Sequence, residues 1–195
     1  MGEDLPELLV PDAGSWRAWL GEHGSGSRGV WLVLAKKDVV SPTSLTYDQA
    51  LDEALCHGWI DGQVGRRDAV TYRQRFTPRR ARSPWSARNV DNVARLTAEG
   101  RMQPGGLAAV ESAQADGRWS AAYAGSAAIE VPEDLAEALS AAPEAQRMFE
   151  NLTRTNRFAV LYRVQTAKRP ETRARRIAEL VLGLARGETP HPQKR

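Results

Sequence analysis

Val30 to Ala35 reads Val-Trp-Leu-Val-Leu-Ala, an unbroken apolar run closed by Gly29 on one side and Lys36-Lys37 on the other. Six such residues, partly β-branched and aromatic, are too few for a helix of ordinary length and show no polar alternation. They predict a central strand covered on both faces. A second strand follows from Val70 to Thr77 with the opposite pattern. Val70, Tyr72, Gln74 and Phe76 fall on one face and Thr71, Arg73, Arg75 and Thr77 on the other, the period-two split of a half-buried antiparallel sheet. Trp59-Ile60 reads as its hairpin partner, joined through Gly65-Arg66-Arg67-Asp68. The expected fold class is therefore α+β, with a small antiparallel sheet of about three strands packed with helices.

The helices announce themselves by their ends. Ser15 is an N-cap candidate for a short helix carrying Trp16, Trp19 and Leu20. Thr46 with Gln49 three residues on forms a capping box, and Gly58 supplies the stop, so one helix is expected from about Tyr47 to His57. After Pro84 the periodicity is helical throughout, with Pro104, Pro132, Pro143 and Pro170 at helix starts and Ile177, Leu180, Val181 and Leu184 on one stripe of the last helix. At 195 residues one domain is the default. The expectation is a tail over 1–14, a single α+β domain over 15–187 with its strand-bearing core at 15–100 and a helical layer at 101–187, and a second tail over 188–195.

Composition excludes several classes. Hydrophobic residues make up 42% and charged residues 26%, which is outside the disordered regime. No apolar run reaches the roughly 18 residues that span a bilayer, and no export signal is visible at the start. The cytoplasm is the expected compartment. One cysteine, Cys56, and three histidines give no zinc spacing, so no metal and no cofactor are expected. Phosphate-loop, dinucleotide-binding, zinc-protease and nucleophile-elbow motifs are missing.

Cys56, His57 and Asp61 contain the parts of a nucleophile relay, but neighbours on a helix point about 100° apart, which weighs against a shared proton. The net charge of +3 averages acidic helices against two basic tracts. Thr71 to Arg88 holds six arginines and no acid; Arg154 to Arg176 holds eight cations against Glu171 alone. In the first tract, a basic strand end feeds a loop and a helix start, where Arg79, Arg80, Arg82 and Ser86 are placed to share an anion beside Trp85. The plainer alternative has Ser83 or Ser86 capping the helix, Trp85 in the core and the arginines solvated. In the second, Lys168, Arg169, Thr172 and Arg173 surround a helix start that would itself favour acids. They mark a second anion site or, by the alternative we prefer, ion pairs to Glu133, Asp134 or Glu137.

Ser44 to Tyr47, Ala54 to Gln63, Tyr72 to Arg80, Ser83 to Asn89, Gly117-Arg118-Trp119 with Ala122-Tyr123, and Thr166 to Thr172 resemble the YdeI/OmpD-associated, or bacteriocin-protection, family from about Trp16 to Gly187. The resemblance implies a small bacterial α+β protein linked to tolerance of bacteriocins and antimicrobial peptides or to stress. It carries over no catalytic residue. It does carry over a motif set: Trp59, Asp61 and Gln63 on the first hairpin strand, Arg75, Thr77, Arg79 and Arg80 on the second, and Trp85, Ser86 and Asn89 at the helix start. These are the expected ligand-binding residues, in a noncatalytic module for a small anionic or polar ligand or a protein partner. A nucleic-acid or phosphate binder using the arginine face, with Arg88, Asn89, Asn92 and Arg95 reaching phosphates or bases, is the first alternative. An enzyme built on Asp61 and His57 is the second.

Overall fold

A computed structural model describes residues 5–123 and 129–193. The outer parts of the two expected tails, 1–4 and 194–195, lie outside the described residues. The chain divides into two compact units, 1–122 and 123–195.

The first unit is α+β. Its elements run β1 (Glu7–Leu8), α1 (Ala13–His23), β2 (Val30–Ala35), α2 (Tyr47–Cys56), β3 (Trp59–Arg66), β4 (Thr71–Pro78), α3 (Ala87–Ala98) and α4 (Pro104–Ala115). The sheet has four strands in the order β1-β2-β4-β3. The fourth strand is the two-residue β1, which lies parallel to β2; the other pairs are antiparallel. Cross-strand partners share a face. Val30 opposite Phe76, Leu32 opposite Gln74 and Leu34 opposite Tyr72 form the inner face, and Trp31 opposite Arg75 with Val33 opposite Arg73 form the outer one.

Helices α1 and α2 supply the rest of this core. Trp16 and Leu20 of α1 are buried, and Trp16 Nε1 donates to the Ala50 carbonyl of α2 at 3.1 Å. Trp16 and Trp19 meet Trp59 edge to face at 6.0 and 5.8 Å. An indole buried this way contributes both area and quadrupolar attraction. α1 is capped by Asp12, whose carboxylate accepts from Ser15 N at 2.8 Å, one turn earlier than the Ser15 cap expected from sequence. α2 carries the full capping box of Thr46 and Gln49.

One charged cluster is built into this core. Glu53 on α2 keeps 3% of its side-chain surface and accepts from Arg17 Nε and Nη2 at 2.8 and 2.6 Å and from Arg101 Nη2 at 2.7 Å. Beside it, Asp52 receives Arg95 Nη2 at 2.7 and 2.8 Å. Five arginine-carboxylate bonds of this kind tie α1, α3 and the segment after α3 to α2.

The second unit is helical among the described residues: α5 (Glu133–Ser140), α6 (Pro143–Glu150), α7 (Arg154–Gln165) and α8 (Pro170–Ala185). Leu135, Leu139, Phe149, Val160, Leu161, Val164, Ile177 and Leu184 form its own buried core. Among the described residues, no helix of either unit is long and apolar enough to cross a membrane.

Candidate functional site

The hairpin pairs as its alternation requires, but its register sorts the candidate residues onto different surfaces. Trp59 opposes Pro78 and Asp61 opposes Phe76, so both belong to the inner face. Trp59 is buried in the aromatic core. Asp61 Oδ2 accepts from Tyr47 Oη at 2.9 Å. Beside that carboxylate, burial first and the charge of Asp61 second push the Tyr47 phenol far above its ordinary range. Between Asp61 and Val64 the ladder bulges, leaving Gln63 exposed and the Gly62 carbonyl turned to accept from Gln74 Nε2 at 2.7 Å.

Arg75 and Thr77 lie on the outer face. Their neighbour Arg73 sets its guanidinium carbon 4.8 Å from the Trp31 ring centroid, and the Nε atoms of Arg73 and Arg75 are buried with no hydrogen-bond partner. The stem of Arg75 passes within 3.7 Å of where a Cβ on Gly62 would sit, and Arg73 crosses Gly65 closer still. Glycine at 65 is what lets Arg73 lie flat across β3, whereas at 62 a Cβ would meet Arg75 only at ordinary van der Waals distance.

Past β4 the chain turns through a loop whose residues are held by two arginines. Arg79 lays its guanidinium over Trp85 at 3.5 Å and donates from Nη1 to the Pro84 carbonyl at 3.2 Å. Arg118, from the turn after α4, donates to the Ser83 carbonyl at 3.0 Å, to Ser112 Oγ at 3.1 Å and to both oxygens of Asp116 at 2.8 Å. Trp85 is 2% exposed and packs at 4.9 Å against Trp119; its Nε1 has no hydrogen-bond partner. Ser86 is the N-cap of α3 and accepts from the N–H of Asn89, which is itself buried. Trp85, Ser86 and Asn89 thus occupy core and cap positions.

Arg79 and Arg80 do share a hollow, with a partner that the sequence reading did not select. It has a volume of about 260 Å³ and is lined by Gly58, Arg79, Arg80, Ser112 and Arg118, with alanines of α4 as its apolar wall. The Arg80 side chain is exposed there, while its backbone N–H is fixed by Ser83 Oγ at 3.0 Å. On the far side of the Gly58–Gly105 contact lies a second cleft of about 390 Å³, lined by Leu20, Ser25, His57, Trp59, Pro78 and Pro104. The contact is close: a Cβ on Gly58, where φ is +76°, would come within 2.5 Å of the Gly105 carbonyl, and one on Gly106 within 2.2 Å of the Cys56 carbonyl. The carboxyl end of α2 therefore abuts the first turn of α4, and Gln103 N donates to Cys56 O at 3.0 Å. The negative end of one helix dipole meets the positive end of another.

The relay parts do not assemble. Cys56 is buried, and desolvation pushes its thiol up to about 11. Burial lowers the His57 pKa, and this imidazole lines the cleft described above, whereas Asp61 is engaged with Tyr47. Among the described residues, no group of three or more His, Cys, Asp or Glu side chains is placed to hold a metal ion.

In the second unit, the residues of the expected second anion site surround the start of α8, whose N-cap is Arg169 with no side-chain cap bond. Arg173 is committed inward, donating to Asp134 at 2.6 and 2.8 Å and to the Val164 carbonyl at 3.1 Å. The hydrogen bond to Arg173, followed by its charge, holds the Asp134 carboxyl below its usual range. Lys168 and Arg169 are exposed and Thr172 is half-buried. The ion pair to Asp134 commits the Arg173 guanidinium within this unit.

Comparison with known proteins separates the two halves of the chain. Residues 8–109, over half of its length, match the family described as a domain of unknown function, DUF8412. Residues 128–187 match the family described as bacteriocin-protection, YdeI or OmpD-associated. That match takes in Thr166 to Thr172, whereas the similar motifs between residues 44 and 89 fall within the other family's span. No curated protein and no solved structure matches the chain. Its 128–187 segment is similar to the bacteriocin-protection, YdeI or OmpD-associated family; with its hairpin and most of its arginine hollow inside the first span, the chain belongs to the DUF8412 family.

Proposed function

We propose that the chain is a noncatalytic cytoplasmic binding protein whose ligand is a small anion, taken up in the hollow of Arg79, Arg80 and Arg118, and that it serves tolerance of bacteriocins or a related stress. The observation that carries this reading is the meeting of three guanidinium groups from two separate segments around one water-accessible hollow of about 260 Å³. Guanidinium forks suit phosphate and carboxylate better than any other side chain does. The stack of Arg79 on Trp85 and the ties of Arg118 to Ser83, Ser112 and Asp116 hold two of the three in place before a ligand arrives, which lowers the ordering cost of binding. Because Asp116 already pairs with Arg118, the exposed Arg80 carries most of the charge offered to an anion. The inert thiol of Cys56 and the Tyr47-bound carboxylate of Asp61 favour binding over catalysis.

Isothermal titration with inorganic phosphate, pyrophosphate and succinate tests the reading. One of these binds saturably, and Arg80→Ala weakens it about fivefold or more, the scale of one charge-assisted hydrogen bond at a partly exposed site. Arg169→Ala, in the other unit, leaves the affinity unchanged. Equal affinity in the Arg80→Ala protein, with its circular dichroism intact, refutes the hollow as the site.

A second reading is favoured by the outer face of the sheet, where Arg73 lies over Trp31 and Arg75 stands beside it. An aromatic flanked by arginines on a sheet is the composition of a single-strand stacking platform. Binding of a 20-nucleotide DNA strand that falls steeply with salt supports it, and absence of binding at low salt ends it.

A further inference from the structure

The segment that follows α8 is seated on the second unit by contacts that read its backbone. Asn156, in the first turn of α7 and 1% exposed, accepts the His191 N–H at Oδ1 (2.8 Å) and donates from Nδ2 to the His191 carbonyl at 3.0 Å. One side-chain amide thus pairs with both polar groups of a single residue, as a neighbouring strand would. Two residues on, Gln193 Oε1 receives Asn156 Nδ2 at 2.8 Å and the backbone N–H of Thr153 at 3.1 Å. That N–H belongs to the start of α7, whose first turn has no acidic residue and includes Arg154. An acceptor oxygen at this point meets the positive end of a helix dipole and added positive charge.

The present occupant fills this seat incompletely. Alongside it remains a cavity of about 380 Å³, lined by Ala159, Val160, Leu180 and Leu184 of α7 and α8, by the paired Arg163 and Glu179, and by Glu188, Thr189 and Pro190 of the segment itself. A backbone clamp, an acceptor subsite and an unfilled cavity with an aliphatic wall are the parts of a peptide-binding groove.

We propose that α7 and α8 form a groove for an extended peptide, and that residues 188–193 occupy it in cis. The peptide it takes in their place presents its backbone to Asn156, a glutamine or glutamate side chain to the start of α7 two residues later, and a large apolar side chain to the cavity two residues earlier. This site lies in the other unit from the arginine hollow and is independent of the anion reading.

The test uses the full chain and a fluorescein-labelled hexapeptide, Glu-Thr-Pro-His-Pro-Gln, that copies 188–193. Its Thr189→Leu version binds about fivefold tighter, because two further carbons enter the cavity and outweigh the loss of the Thr189 Oγ1 bond to the His191 carbonyl. His191→Pro in the protein removes the N–H that Asn156 accepts, loosens the occupant and raises affinity for the peptide about tenfold. The same His191→Pro change in the peptide abolishes its binding. In the unsubstituted protein, the side-chain amide resonances of Asn156 move on titration. Failure of the Leu-bearing peptide to bind either protein, equal binding by the two proteins, undiminished binding of the proline-bearing peptide, or an unmoved Asn156 signal overturns the proposal.

Discussion

Glu53→Gln removes one charge from the centre of the first unit while keeping the volume and one acceptor oxygen. In the native protein this carboxylate receives three charge-assisted hydrogen bonds, two from Arg17 and one from Arg101, at 2.6 to 2.8 Å. Bonds of this kind contribute about 1.5–3 kcal/mol each. The full sum is not lost, because the Arg17 and Arg101 side chains are 56% and 31% exposed and regain water once the carboxylate is gone. A net loss of about 2–4 kcal/mol remains, a fall in Tm of about 5–12 °C for a chain of this size. The pH dependence has a defined sign. Burial alone would raise the Glu53 pKa, but the hydrogen bond and charge of Arg17, and then of Arg101, outweigh it and hold the group below 4.5. A carboxyl depressed in the folded state stabilises above its ordinary pKa, and that contribution disappears as pH falls through the folded value. The Tm gap between native and Glu53→Gln proteins, followed by differential scanning fluorimetry from pH 7 to pH 3, is therefore widest near neutrality and closes below about pH 4.5. A gap under about 2 °C at pH 7, or one unchanged in acid, refutes the view that Glu53 fastens α1 and the segment after α3 to α2.

Three further outcomes follow from the geometry. Gly106→Ala forces a Cβ to within 2.2 Å of the Cys56 carbonyl and costs about 2–3 kcal/mol in urea denaturation, whereas Gly21→Ala, in the open on α1, is neutral or stabilising by up to about 1 kcal/mol. Cys56, with its thiol raised to about 11 and buried, resists Ellman's reagent at pH 8 until the chain unfolds; labelling at the rate of free cysteine contradicts that burial. The expectation of one domain over 15–187 predicts a single thermal transition, and the six tryptophans, all before residue 123, supply a probe of the first unit alone. Fluorescence and far-ultraviolet dichroism then melt together, and separated midpoints overturn the expectation.

The elements were legible where a local rule decides them. The capping box at Thr46, the apolar run of β2 and the alternation of β4 each depend on neighbours within a few residues, and each forms as read. Glu7–Leu8 gave no such signal, since a two-residue strand exists only because β2 is there to pair with it. The grouping of site residues failed for a related reason. Asp61 and Arg75 lie on opposite faces because register places Asp61 across from Phe76, and a bulge then shifts the ladder; neither fact is written in the spacing of either strand alone. Arg118 was visible as part of a motif, but its meeting with Arg79 and Arg80 depends on how α4 returns to the loop after β4. Asn156 carried no signal at all, because a polar residue early in a helix reads as surface until the segment it clamps is seen.

The abutment of α2 on α4 decides what sort of recognition the arginine hollow can offer. Across that abutment Gln103 N donates to the Cys56 carbonyl, so in the proposed hollow attraction comes from guanidinium side chains, two of them already fastened to their surroundings. On the anion reading, a receptor of that design selects by charge through guanidinium forks rather than through a main-chain nest.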